Sequence, residues 1–240
     1  MSHPNLGICE TENLHLEVWK MSKLNNELAN SIATVSEGGI EMIHHKYFVG
    51  IWSDDELVIS QANKVYDFKK EKVAEAIKDK DISSYLWLHE RAYRVQSILD
   101  ALEDWWKPNK KEYWEVIANV WTDTENVYEN HLAWEQLLFL EFSDSHLMMD
   151  EEDTKFFNEL PNTITIYRGG IDDKGYSWTL DKDKAEWFAN RWVMNGNLGD
   201  ESNVTNRHET NVFEKTINKS DVIAYLSDRG ESEIIYRKED

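Results

Sequence analysis

The sequence predicts an α+β protein: a helical N-terminal region followed by a compact, strand-rich C-terminal unit. Three observations carry that expectation. Apolar residues recur at three- to five-residue steps through most of residues 12–160, the period of helices that bury one face. Beyond Pro161 the texture turns to short, β-branched, alternating runs such as TITIYR, the pattern of half-buried strands. No linker rich in proline, glycine or serine separates the two parts, so the boundary is set at the change of texture, giving 1–160 and 161–240.

Residues 12–35 set Leu16, Trp19, Leu24, Leu28 and Ile32 along one side and end near Gly38-Gly39, which predicts a first helix. Residues 40–60 read as a hairpin, IHHKYFVGIW passing through the turn-like Ser53-Asp54-Asp55 into ELVIS. Over 68–106 the helical period returns as two helices broken around 80–83. Leu86, Tyr93, Ile98 and Leu102 line part of one face, and Pro108 marks the stop. Residues 111–142 give two more helices, YWEVIANVW and ENVYENHLAWEQLLFLEF. Thr122 or Thr124 is placed to cap the second, with Val127, Leu132, Leu138 and Phe142 suited to burial. DEEDTKFFNEL is a short helix ending at Pro161. TITIYR is a strand, Gly169-Gly170 and IDDKG a turn, and YSWTL a second strand. Asp181 caps DKDKAEWFANRWV, with Ala185, Phe188, Ala189 and Trp192 on one side. NGNLGDESNVTNRHET reads as a polar loop, and NVFEKTI, DVIAYL and SEIIYR as closing strands.

Composition narrows the function classes. With 240 residues, 41% hydrophobic, and only 3 prolines and 10 glycines, the chain can build a sizeable core and is neither collagen-like nor low-complexity. The 26 basic residues are outweighed by 46 acidic ones, for a net charge of −20. The acids are spread: residues 1–150 hold 14 basic and 27 acidic side chains, residues 151–240 hold 12 and 19. Such a surface repels phosphate backbones, so direct duplex nucleic acid binding is not expected. The lone Cys9 excludes an internal disulfide and a cysteine-based zinc site. The polar N-terminus lacks the apolar stretch of a signal peptide, and no eighteen apolar residues run together. The expectation is a reduced, cytoplasmic protein with no membrane partner.

Three short motifs after residue 161 could carry chemistry. Tyr167-Arg168-Gly169-Gly170 ends a strand with a planar fork of donors suited to phosphate or carboxylate, and its glycines admit close approach to the backbone. Gly175-Tyr176-Ser177-Trp178-Thr179 puts two hydroxyls on one strand face; it misses the G-x-S-x-G nucleophile elbow at its last position. In Gly230-Glu231-Ser232-Glu233-Ile234-Ile235, a strand would project both carboxylates from one face, about 7 Å apart at Cα. Two like charges there invite a cation or a polar ligand between them.

In this order, TIYRGG, YSWT leading into AEWFA, and GESE before the last strand resemble the arginine–serine–glutamate class of mono-ADP-ribosyltransferases, over residues 161–237. The resemblance implies a small ADP-ribosyltransferase-like split β-sheet catalytic unit that takes NAD+ as substrate and needs no metal. It implies that Arg168 contacts the NAD+ phosphates or nicotinamide ribose, and that the backbone of Gly169, beside Tyr167, holds the nicotinamide amide. Ser177 would position the catalytic glutamate and Thr179 would shape the same strand. Glu233 would be the catalytic carboxylate, and Glu231 would orient or deprotonate the acceptor, a position that in the family goes with arginine acceptors. Asp228, Arg229 and Gly230 fall where the family has its substrate-recognition turn. Only nine positions separate Arg168 from Ser177, so the usual intervening helix must be absent or replaced from the N-terminal region.

The implied reaction is transfer of ADP-ribose to a protein side chain, arginine favoured, on an acceptor with a basic surface. An NAD+ glycohydrolase would use the same cleft with water. From a different class, an acidic inhibitor that mimics nucleic acid should gather its carboxylates on one helix face, whereas these are dispersed. His44-His45 is a poor metal pair because adjacent strand residues face opposite ways. His131, Trp105-Trp106 and the Trp114, Trp121, Trp134 series read as packing residues. Trp187 and Trp192 either pack in the core or wall the cleft.

Overall fold

The computed structural model describes residues 23–34, 39–140, 142–195 and 210–236. Cys9, Leu16, Trp19 and the loop 196–209 lie outside the described residues, as do the side chains of Phe142 and Trp192. The described chain is α+β, as the sequence predicts, and it corrects several local expectations.

Of the helix expected over 12–35, the described residues 23–34 form only α1 (Asn26–Ala29), started by the Asn25 side chain, which accepts the Glu27 amide. The chain then enters β1 (Ile32–Thr34), where β-branched Ile32 and Thr34 face Ile43 and Glu41. The hairpin is β2 (Glu41–His45) and β3 (Phe48–Ile51), but it reverses at Lys46-Tyr47 and not at Ser53-Asp55. Asp55 instead caps α2 (Glu56–Asp79), accepting the Leu57 and Val58 amides, so ELVIS is the first helical turn. Lys80 ends α2 at φ 57, and α3 (Ile82–Leu88) and α4 (Arg94–Asp104) follow.

Helices α5 (Lys110–Asp123) and α6 (His131–Leu140) occupy the next expected pair. Thr124 closes α5 and does not open α6; the intervening 3-10 turn is capped by Asn126. Leu132 is 69% exposed, against expectation, while Trp134, Leu137 and Leu138 are buried. His131 is likewise exposed and stacks on Tyr128, with centroids 5.2 Å apart. The tryptophan series forms the core: Trp106, Trp114, Trp121 and Trp134 are buried, and Trp121 meets Trp134 edge-on at 4.9 Å. Helix α7 (Glu151–Glu159) begins at Asp150 and is closed by Lys219, whose Nζ donates to the carbonyls of Phe157, Asn158 and Leu160. Among the described residues no helix is long and apolar enough to cross a membrane.

The C-terminal sheet contains β4 (Thr163–Gly170), β5 (Ser177–Thr179), β6 (Asn211–Asn218), β7 (Val222–Leu226) and β8 (Glu233–Tyr236). It runs in the order β6-β4-β5-β8-β7 with every pair antiparallel. Helix α8 (Lys182–Asn195) packs on β4. The two faces of this sheet contribute to different cores. Ile223, Ala224, Leu226 and Ile235 belong to the core of the helical region, while Ile164, Ile166, Trp178, Ile234 and Tyr236 form a second core.

One buried group links the helical core to pH. His89 is 1% exposed; its Nδ1 donates to the Tyr85 carbonyl at 2.7 Å, and its Nε2 is buried without a hydrogen-bond partner among the described residues. Burial pulls its pKa down to about 4. The unfolded imidazole titrates near 6.5, so the unfolded state binds more protons between those values and stability falls as pH drops through that window. The loss reaches about 3 kcal/mol below pH 4. In urea titrations at pH 7 and pH 4.5, His89→Gln should lose less stability than the wild type, by about 2 kcal/mol. Parallel losses in the two proteins would refute the assignment.

Candidate functional site

The three motifs lie on adjacent strands, although α8, β6 and β7 intervene in the chain between the second and the third. Register aligns Tyr167, Thr179, Glu233 and Leu226 in one row across β4, β5, β8 and β7. Pairing between β4 and β5 is limited to Tyr167 and Thr179. Beyond that point Arg168 bridges the two chain segments.

The Arg168 guanidinium donates from Nη1 to the Ser177 carbonyl at 2.7 Å and from Nε to the Asp172 carbonyl at 3.3 Å. A Cβ on Gly175 would fall 2.3 Å from Nη2, so glycine is what lets the 171–176 segment lie against the guanidinium. That segment contains no helix. Burial lowers the Arg168 pKa from its ordinary value, and Asp172, Asp173 and Glu233 oppose the shift. The charge persists, since arginine starts so high.

Ser177 Oγ donates to Glu233 Oε1, fixing one carboxylate oxygen. Ser177 faces Ile235 across the β5–β8 pair. Thr179 is buried and its hydroxyl accepts the Asp181 amide at 3.0 Å, so it shapes the strand exit into α8. Trp178 points into the second core, its indole donating to the Gly175 carbonyl at 2.9 Å and its ring edge-on to Tyr236. The bulky residue between the two hydroxyls is thus accommodated on the opposite face.

Two expectations need correcting. Glu231 and Glu233 are not side by side on a strand, because β8 starts at Glu233. The Glu233 amide donates to the Glu231 carbonyl at 2.6 Å, and Gly230 at φ 64 turns the chain just before. Gly169, expected to open the backbone to a ligand, has its bare side against helix α8. A Cβ there would meet the Ala185 carbonyl oxygen at 1.9 Å and the Ala189 nitrogen at 2.5 Å, so its bareness admits helix α8.

The turn Asp228–Gly230 is reached from the helical region. Asp153 accepts the Ser227 amide, and Thr122 Oγ1 donates to Asp228 Oδ2 at 3.3 Å. Sequence reasoning missed both contacts and the role of Gly175. Asp153 reads in sequence as one of three acids in the first turn of α7, and nothing local marks it as a partner of Ser227. Trp187 is 48% exposed, with the Lys184 ammonium over its ring. His44 and His45 diverge along β2, and His45 Nδ1 accepts the Tyr47 amide at 3.1 Å. Among the described residues no three His, Cys, Asp or Glu side chains gather as metal ligands.

Comparison of the chain with protein-family models, with curated proteins and with solved structures gave no match.

Proposed function

We propose that the protein is a mono-ADP-ribosyltransferase that cleaves NAD+ at the nicotinamide–ribose bond and transfers ADP-ribose to a protein side chain, arginine first. One observation carries this reading: Arg168, Ser177 and Glu233 stand on neighbouring strands, with the serine hydroxyl bonded to the glutamate and the guanidinium beside the serine.

The chemistry follows from those groups. As the glycosidic bond lengthens, its electron pair moves to the pyridinium nitrogen and nicotinamide leaves neutral. The ribose C1′ becomes cationic, the charge type that carboxylates stabilise in glycoside cleavage. Glu233, held by Ser177, would hydrogen-bond the ribose 2′-hydroxyl and oppose that charge from a fixed position. Arg168 would neutralise the pyrophosphate. An acceptor nitrogen then bonds to C1′, and its proton passes to Glu231. No metal takes part. The acidic surface favours an acceptor protein with a basic face.

Water is the second acceptor to consider, and the placement of Glu231 outside β8 favours it. Incubation with labelled NAD+ and a cell lysate separates the two. Label on protein supports transfer, and free ADP-ribose alone supports hydrolysis. Glu231→Gln should cut labelling of protein at least about tenfold and keep nicotinamide release within about threefold. Equal loss of both would end the division of labour between the two acids.

Gly175→Ala probes Arg168 without touching its charge. The added methyl must displace the guanidinium, the mobile end of a flexible side chain. The KM for NAD+ should rise about tenfold, as for a lost charge-assisted contact, with the unfolding midpoint little changed. An unaltered KM would remove Arg168 from the NAD+ site.

A further inference from the structure

The turn before Glu231 is held from outside the sheet. Asp153 is 5% exposed, and its two carboxylate oxygens accept the Ser227 amide at 3.2 and 3.4 Å. Burial raises its pKa, the Ser227 bonds pull it back, and Asp150 and Asp228 add to the rise. An acid in that setting costs stability unless it has a specific partner. Helix α7 does not need it as a cap, because Asp150 already accepts the Asp153 amide at 2.8 Å. What Asp153 adds is its grip on Ser227.

One residue further on, Asp228 is bonded to Thr122 in the last turn of α5. The chain then closes on itself: the Gly230 amide donates to the Ser227 carbonyl, and the Glu231 amide to the Asp228 carbonyl, each at 3.2 Å. Both of the residues gripped from the helical region are therefore the acceptors that fold the turn. Glu233 has separate supports in β5, β7 and the Ser177 hydroxyl.

We propose that Asp153 and Thr122 are positioning residues for the acceptor step. They fix the 227–230 turn against the helical region, so that Glu231 is presented to the incoming acceptor, while NAD+ cleavage at Glu233 proceeds without them. The inference rests on the transferase reading. It gives the helical region a share in acceptor engagement and none in cleavage of the glycosidic bond.

The test uses the full chain, NAD+, and agmatine as a small guanidinium acceptor. Thr122→Val and Asp153→Ala should raise the agmatine KM about fivefold or more and shift products from ADP-ribosyl-agmatine toward free ADP-ribose. Nicotinamide release without agmatine should stay within about twofold of wild type. Thr122→Ser, which keeps the hydroxyl, and Asp153→Asn, which keeps an oxygen for the Ser227 amide, should restore most of the transfer. An equal fall in both activities, or no change in partition, overturns the proposal. Amide hydrogen exchange supplies a reading independent of NAD+: Asp153→Ala should speed exchange at Ser227 about tenfold or more. Unchanged exchange overturns the clamp even in an active enzyme. A wild-type chain that releases no nicotinamide sinks the transferase reading and the acceptor role with it, and exchange at Ser227 then reports only whether the clamp exists.

Discussion

Replacing Glu233 with glutamine is expected to lower nicotinamide release from NAD+ about 10²–10³-fold, the usual scale for removing one fixed group that faces transition-state charge. The amide has the shape of the carboxylate and keeps an oxygen for the Ser177 hydroxyl, so the fold should hold. Glu233 remains aligned with Thr179 on one side and Leu226 on the other. What disappears is the negative charge opposite the developing ribose cation. Ser177→Ala should have a smaller effect, about ten- to hundredfold, because the charge stays and only its orientation is released. The ranking matters more than either number. A Glu233→Gln protein retaining more than about a tenth of wild-type release would leave Glu233 no electrostatic role in cleavage. So would a larger loss in Ser177→Ala than in Glu233→Gln. Thermal unfolding of both variants beside the wild type guards against misreading a fold defect as a chemical one.

Gly169→Ala should be the most damaging single methyl in the C-terminal sheet. The new atom would overlap the Ala185 carbonyl and the Ala189 nitrogen, both backbone atoms of α8 that cannot rotate away. The helix must retreat from β4, and overpacking of this kind costs about 3 kcal/mol. In a chain of this size that corresponds to a fall in Tm of roughly 6–12 °C. Gly170→Ala is the matched control: its Cβ would meet only the Asp172 carbonyl oxygen at 3.8 Å, an ordinary contact. It should change stability by less than about 0.5 kcal/mol. Similar midpoints for the two variants would contradict the close helix–strand approach.

The sequence reveals most where periodicity and capping agree. Asp181 before AEWFA caps its helix as read, DEEDTKFFNEL is helical with its first residue, Asp150, serving as the cap, and Ile164 and Ile166 alternate inward as strand residues should. It misleads where a helical spacing of apolar residues is cut by pairing at a distance. Ile32 continues the period of Leu24 and Leu28, yet it is drawn into β1 by Ile43. For the site, the three motif strands and their order were legible, because strand-end chemistry is local. The glutamate pair was not, because a positive-φ glycine and an amide bonded two residues back changed its path. Contacts between Asp153 and Ser227, or Thr122 and Asp228, join residues far apart in the chain, and no local pattern encodes them.

The last strand turns its two isoleucines to opposite destinations, Ile234 to the sheet's own core and Ile235 to the helical one. That four-residue ribbon acts as a shared wall. A gene fragment encoding residues 161–240 alone would strip one side of the wall and bare Ile223, Ala224, Leu226 and Ile235 to water. An exposed apolar sheet face of this kind invites aggregation. The motif-bearing segment is therefore not portable: it cannot be grafted, swapped or inherited as a free module without the helices that plaster its back.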